Sequence, residues 1–208
     1  MAMCSAGADL LGAGGVGVFV MAEGVRGATF ASNPLAANLE ELQFTLGAGP
    51  GVDAYTDGIP IRECDLDMAT ERWPGFCGSA VAAGARAAFS FPLRLGAARL
   101  GALSVYQSGP GPLDDEVYAD ALVLADVVTR GLLAAHATVP AGSSAAGLGD
   151  DGTFDARVHQ ASGMVSVQLA VGVGEALVRL RARAFADSTL LTAVAADVVA
   201  RRLRFDDR

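Results

Sequence analysis

The chain has 208 residues, 52% of them hydrophobic, and a formal net charge of −8. That length admits one large domain or two small ones, and the hydrophobic share permits a substantial core rich in Ala and Val. The longest uncharged apolar run, Leu10 to Ala22, is too short and too Gly-rich for a transmembrane helix.

No basic region precedes an apolar run at the N-terminus, so no secretory signal is predicted and the expected location is the cytoplasm. Cys4, Cys64 and Cys77 lack metal-ligand spacing, and His136 and His159 stand alone. Neither a metal site, a disulfide framework nor a nucleophile–base catalytic set is predicted, and no cofactor is expected. Charge is divided unevenly. Residues 1–154 hold 7 Arg against 17 acids, a net of −10, whereas residues 155–208 hold 8 Arg against 6 acids, a net of +2; there is no Lys. The acidic N-terminal part would repel nucleic acid, so any such binding belongs to the C-terminal part.

In chain order, Met1 to Leu11 reads as a short helix ending at Gly12. Gly15 to Met21 is a buried strand, paired as a hairpin through a turn at Gly24 with Thr29 to Ser32. The Gly-rich run Gly12 to Gly17 precedes a strand, so it reads as a strand entry and not as a phosphate loop. Asn33-Pro34 breaks the hairpin, and Leu35 to Thr45 is a helix with Glu40 and Glu41 on its outside. After Gly47 to Gly51, Val52 to Tyr55 is a turn of helix. Ile59 to Cys64 is a strand whose Pro60 suits an edge. A short Ala-rich helix, Ser79 to Ala83, leads to a second hairpin, Ala87 to Leu93 and Leu100 to Tyr106. Asp114 to His136 is one long helix with an apolar stripe of Val117, Ala121, Leu124, Val128 and Leu132. That stripe is broad for one small sheet, so dimerisation through it is expected, with Leu124 at its centre.

Val139 to Gly152, rich in Gly, Ser and Ala, reads as a linker. Three short amphipathic helices follow. Val158, Ala161, Val165 and Leu169 fall at helical spacing, as do Ala176, Leu177, Leu180 and Ala184, then Leu191, Val194, Ala195 and Val198. Val171 to Gly174 separates the first two helices. Asp187-Ser188-Thr189 separates the last two and supplies side chains able to cap a new start. Helices this short must pack on each other or on a partner.

The C-terminal pattern resembles an ANTAR domain, the RNA-binding module of transcription antiterminators. Gln160, Ala161 and Gly163 match its first block, Ala176, Leu180, Arg181 and Ala184 its second, and Leu191, Val194 and Ala195 its third. The family usually carries Lys and Arg where this chain has Ser162 and Thr189. A generic three-helix dimerisation bundle is the other reading of the same spacing.

The β-β-α-α-β-α-β-β-α order of the N-terminal part resembles a GAF domain. The resemblance is carried by Glu41-Leu42-Gln43 before Gly47-x-Gly49-Pro50, by Asp53-Ala54, by Arg72-Trp73-Pro74-x-Phe76, and by Pro92-Leu93 with Leu100 to Leu103. Together the two resemblances point to the GAF-ANTAR regulators of actinomycetes. In those the first loop usually reads Gly-Glu-Gly-Pro-Cys; Ala48 and Gly51 stand here in place of the Glu and Cys. Such proteins begin with a longer first helix, so the chain is expected to start late.

The resemblance therefore implies an α/β GAF-like sensor domain, an antiparallel sheet flanked by helices, over residues 1–137. A linker over 138–154 and an all-α three-helix ANTAR module over 155–208 follow. It implies a homodimer that presents two modules to a pair of RNA hairpin loops and so favours an antiterminator. Gln160, Ala161, Ser162 and Gly163, with Arg181 and Arg183, are the expected RNA contacts. Phe19, Phe44, Tyr55, Trp73, Phe76 and Phe89 are candidates to line a GAF pocket for a small molecule, with core packing as their other role. The rival reading is a small-molecule or protein-interaction sensor whose module has lost RNA binding.

Overall fold

A computed structural model of the chain describes residues 2–22, 25–137, 156–187 and 189–205. These form two compact units, residues 1–43 with 48–154, and residues 44–47 with 155–208. The linker expected over 138–154 and the turn expected at Gly24 lie outside the described residues.

The first unit runs α1 (Ala2–Leu11), β1 (Gly15–Ala22), β2 (Val25–Ala31), α2 (Pro34–Leu46), α3 (Pro50–Asp57), β3 (Ile61–Glu63), α4 (Cys77–Ala82), β4 (Ala87–Leu95), β5 (Ala98–Gln107) and α5 (Asp115–Ala137). Its five strands form an antiparallel sheet in the order β2-β1-β5-β4-β3. Alternation along the strands gives the sheet two unlike faces. Val16 and Val18 of β1 stand opposite Val105 and Leu103 of β5, which stand opposite Phe89 and Phe91 of β4. This apolar face forms one core with Cys4 and Leu11 of α1 and with Ala121, Ala125, Val128 and Leu132 of α5. Helix α5 supplies a continuous stripe because those residues recur at helical spacing.

The other face carries Phe19 of β1 among small and polar residues: Gly17 of β1, Ala88 and Ser90 of β4, and Ala102, Ser104 and Tyr106 of β5. Helix α2 starts where it does because Asn33 caps it. The Asn33 Oδ1 accepts the Ala36 N–H at 2.9 Å, and its amide donates to the Gly14 carbonyl at 2.7 Å. Pro34 takes the first helical position, where a missing N–H costs nothing. Helix α3 starts the same way on Pro50 and stops at Gly58, whose left-handed φ of 70° returns its N–H to the Ala54 carbonyl. The helix is therefore longer than the turn expected from Val52 to Tyr55. Strand β3 is an edge strand that pairs only with Ala88 to Ser90 of β4, so Pro92 lies past its end and interrupts no ladder on that side.

The second unit holds α6 (Ala156–Leu169), α7 (Val173–Ala186) and α8 (Leu191–Val199), each packed on the other two. Its buried residues are those the spacing selected: Val158, Ala161 and Val165; Ala176, Leu177, Leu180 and Ala184; Leu191, Val194, Ala195 and Val198. Helices α6 and α7 meet at a bend of 104°. Ala170 takes a left-handed φ of 52° at that joint, and the Ser166 hydroxyl donates to the Val171 carbonyl at 2.6 Å. The start of α8 differs from expectation. Its N-cap is Leu190, whose apolar side chain has no acceptor to offer, and the Thr189 N–H donates to the Ala184 carbonyl at the end of α7 at 2.9 Å. Among the described residues no single helix is long and apolar enough to cross a membrane.

Candidate functional site

The polar face of the sheet carries a chain of buried hydrogen bonds. The Tyr106 hydroxyl donates to Glu40 Oε1 at 2.9 Å and accepts from Gln43 Nε2 at 2.8 Å. Gln43 Oε1 accepts the Gly51 N–H at 2.7 Å, and the Ser90 and Ser104 hydroxyls bond each other at 3.1 Å. Glu40, Gln43, Ser90, Ser104 and Tyr106 are all fully buried. This corrects the expectation that Glu40 lies outside its helix. A buried carboxylate needs hydrogen-bond donors, and Tyr106 is one. It also needs room, which Gly17 supplies: a Cβ there would stand 2.6 Å from Glu40. The sequence signal was small residues on alternate strand positions opposite a helix with polar residues three apart, Glu40 and Gln43.

Asp53 on α3 forms a second polar centre. Its Oδ2 accepts from Arg72 Nε and Nη2, at 3.1 and 2.9 Å, and from Trp73 Nε1 at 3.2 Å. The Arg72 guanidinium lies 4.5 Å from the Trp73 ring centre. Three of the residues that carry the family resemblance are thus a clasp that ties the segment before α4 to α3.

The six aromatic candidates do not share one cavity. Phe19 and Tyr55 meet edge to face at 6.1 Å. Trp73 and Phe76 are buried, Trp73 in the clasp. Phe89 is a correction: its register with Val105 places it on the apolar face, within the α1 and α5 core. Phe44 is buried too. Among the described residues no three His, Cys, Asp or Glu side chains come together as a metal site.

The three thiols differ in reach. Burial pushes the Cys4 thiol up to about 11 and raises that of Cys77, which Glu63 and Asp67 raise further. Cys64 is half-buried. A thiol reagent at neutral pH is expected to label Cys64 in the native protein, and Cys4 and Cys77 only after unfolding. Because the Cys4 pKa is raised on folding, its protonated form favours the native state. Stability is expected to be unaffected by this group below pH 9.0 and to fall as the pH rises toward about 11. Thiol counting by absorbance and a pH series of thermal melts check both.

In the second unit, an open groove of about 670 Å³ runs along α6 and is lined by Gln160, Gly163, Met164, Val167 and Gln168, with Arg201 and Arg204 from the segment after α8. The expected RNA contacts divide around it. Gln160 and Gly163 line the groove, whereas Ala161 and Ser162 are buried at 0% and 2% exposure. Their expected surface position is corrected, because the apolar stripe through Val158 and Val165 turns that side of α6 inward. Ser162 donates its hydroxyl to the Val158 carbonyl at 2.8 Å. Arg181 is half-buried and Arg183 exposed. Arg183 pairs with Asp187 at 2.6 Å, and neither arginine lines the groove.

No protein-family model and no curated protein matches the sequence. Solved structures do match. A domain from Sinorhizobium meliloti, described as part of a two-component sensor histidine kinase protein, is 19% identical, with a TM-score of 0.52 over 65% of this chain and 89% of that one. The GAF domain of cyanobacteriochrome TePixJ is 17% identical, with a TM-score of 0.48 over 65% and 88%. The second GAF domain of DevS from Mycobacterium smegmatis is 20% identical, with a TM-score of 0.46 over 65% and 91%. At 19% identity the likeness to the Sinorhizobium meliloti domain concerns the fold alone. The first unit shares that fold, a five-stranded antiparallel sheet flanked by helices, and three helices follow it.

Proposed function

We propose that the chain is a signal-responsive, RNA-binding regulator of transcription antitermination that works in the cytoplasm and is not an enzyme. The GAF-like unit senses a signal or pairs two chains, and the three-helix unit binds RNA hairpin loops. The observation that carries this reading is the groove on α6. It joins Gln160 and Gly163, matched residues of the ANTAR pattern, to two arginines, in the part of the chain with net positive charge. Unpaired loop bases offer faces to stack and edges to bond, which a groove with amide side chains can read. Sequencing the RNA captured with the chain from native cells tests the reading. Enrichment of leader RNAs with paired hairpins ahead of a terminator is expected, and recovery of only the background RNA population would contradict it.

A second reading is a sensor without RNA binding. Its support is that Ser162 and Thr189 stand where Lys and Arg are usual, and that Arg179 and Arg183 of α7 are already paired with Glu175 and Asp187.

Pairing of two chains has a surface to use. Leu122, Val123 and Val127 of α5 are exposed, Val123 by 63%. Leu124, expected at the centre of the contact, instead packs inward on the core beside Gly7, so charging it would attack the fold. Val123→Glu is therefore the test. Sedimentation at micromolar concentration should show a dimer for the unaltered chain and a monomer for Val123→Glu, with the thermal midpoint changed little, since exposed substitutions usually stay within about 0.5 kcal/mol.

A further inference from the structure

The groove on α6 has a particular construction. Its floor is apolar and open. Gly163 leaves a position where a Cβ would meet nothing within 4 Å, and Val167 beside it is 83% exposed. Two amides flank that floor. Gln168 accepts the Phe205 N–H at 2.9 Å through Oε1, which holds the C-terminal segment along α6 and leaves the amide NH₂ as a donor. Gln160 is exposed and offers both donor and acceptor.

The cations are set apart from the other charges of the unit. Arg179, Arg183 and Arg202 each hold a carboxylate on their own or the adjacent turn, Glu175, Asp187 and Asp197. Arg201 and Arg204 form no ion pair among the described residues, and both line the groove. Arg201 also has a left-handed φ of 58°. The Arg202 N–H returns to the Asp197 carbonyl at 2.8 Å and the Arg201 N–H to Val198 at 2.9 Å, the closing pattern of a helix at a position that glycine usually fills. A side chain kept at such a position is a pointer to use.

We infer that this groove is the seat of one unpaired nucleotide of a hairpin loop. The base lies on Gly163, Met164 and Val167, its edge is read by Gln160 and Gln168, and the flanking phosphates are held by Arg201 and Arg204. The volume lies within the ~300–1,000 Å³ of ligand clefts. Arginine forks suit phosphate, and an apolar floor with amide edges suits a base. The inference rests on the RNA-binding reading above and gives it a location different from Ala161, Ser162 and the arginines of α7.

The test is a titration of the full chain against a labelled two-hairpin RNA, with the same RNA closed into uninterrupted duplex as the comparison. Arg201→Gly is the informative variant, because glycine suits the left-handed position and the thermal midpoint should hold or rise. Arg201→Gly and Arg204→Ser are each expected to weaken loop binding about tenfold. Each should also flatten the salt dependence by about 0.7 per lost phosphate contact. Gly163→Leu should fill the groove and weaken loop binding by a similar factor while the helix is kept. If the unaltered chain prefers loops to duplex and all three variants bind within twofold of it, the groove is not the site, and the RNA-binding reading then rests on the measured loop preference and no longer on the groove. If the unaltered chain does not prefer loops to duplex, that reading fails and the groove assignment fails with it.

Discussion

Gly101→Ala is expected to lower the thermal midpoint of the first unit by about 10 °C or to prevent its folding. Gly101 pairs with Val20 at the centre of the sheet. A Cβ there would stand 1.9 Å from the Phe19 carbonyl oxygen and 3.0 Å from the Val20 Cα. Both are backbone atoms of the adjacent strand, so no side-chain rotation relieves the clash. β1 and β5 must separate, and their apolar faces separate with them. Overpacking of this kind costs about 3 kcal/mol or more, against total stabilities of about 5–15 kcal/mol. For a chain of this size each kcal/mol moves the midpoint by about 2–4 °C. Gly78→Ala is the matched control. Gly78 is helical and exposed with nothing within 4 Å of its Cβ, so alanine there should be neutral or stabilise by up to about 1 kcal/mol. Thermal melts by circular dichroism check the pair. Equal midpoints for the two variants would mean that β1 and β5 do not approach as described.

Ser162→Lys is expected to unfold the three-helix unit, although resemblance alone would choose this substitution to restore a phosphate contact. Ser162 is 2% exposed, and its hydroxyl is satisfied by the Val158 carbonyl. An ammonium in that place loses several kcal/mol of hydration, reduced only so far as its stem can carry the charge outward. A small unit with one core of Val, Ala and Leu has little reserve. A loss of about 3 kcal/mol or more should appear as lost helical ellipticity and as fast hydrogen exchange across α6. Ser162→Ala should stay within about 1 kcal/mol, since it trades one hydrogen bond for better helix propensity. A Ser162→Lys protein that melts normally and binds RNA more tightly would show that the side chain at 162 reaches the surface.

Periodicity made most of the architecture legible. The apolar run Gly15 to Met21 marked a buried strand, and the stripes of α5 to α8 marked residues that face their cores. Local patterns said less about what fills the space between elements. Glu40 looks like a surface residue in its own helix. Only the absence of a side chain at Gly17, in a strand paired elsewhere in the sequence, makes room for it. Phe89 was misplaced for a related reason, since a pocket list drawn from aromatic content ignores strand register. In the last three helices the core was legible and the surface was not. Ala161 and Ser162 follow Gln160 directly in the sequence, but a helix turns about 100° per residue, so they lie on the buried side with Val158 and Val165 while Gln160 is exposed. Arg201 and Arg204 fall after the last periodic stretch. Their place beside Gly163 comes from the Gln168 bond that ties the chain end to α6, which no short-range pattern announces.

Binding of RNA loops by the C-terminal unit, through charge and base contacts, is measured as the affinity of the full chain for a two-hairpin RNA between 50 and 200 mM salt, beside an RNA of the same composition in scrambled order. The hairpin RNA should be preferred at every salt concentration. The logarithm of the affinity should fall with logarithmic salt by about 0.7 for each phosphate held, hence by about 1.4 or more if Arg201 and Arg204 both engage. Equal affinity for the two RNAs, or an affinity that salt does not change, would contradict it.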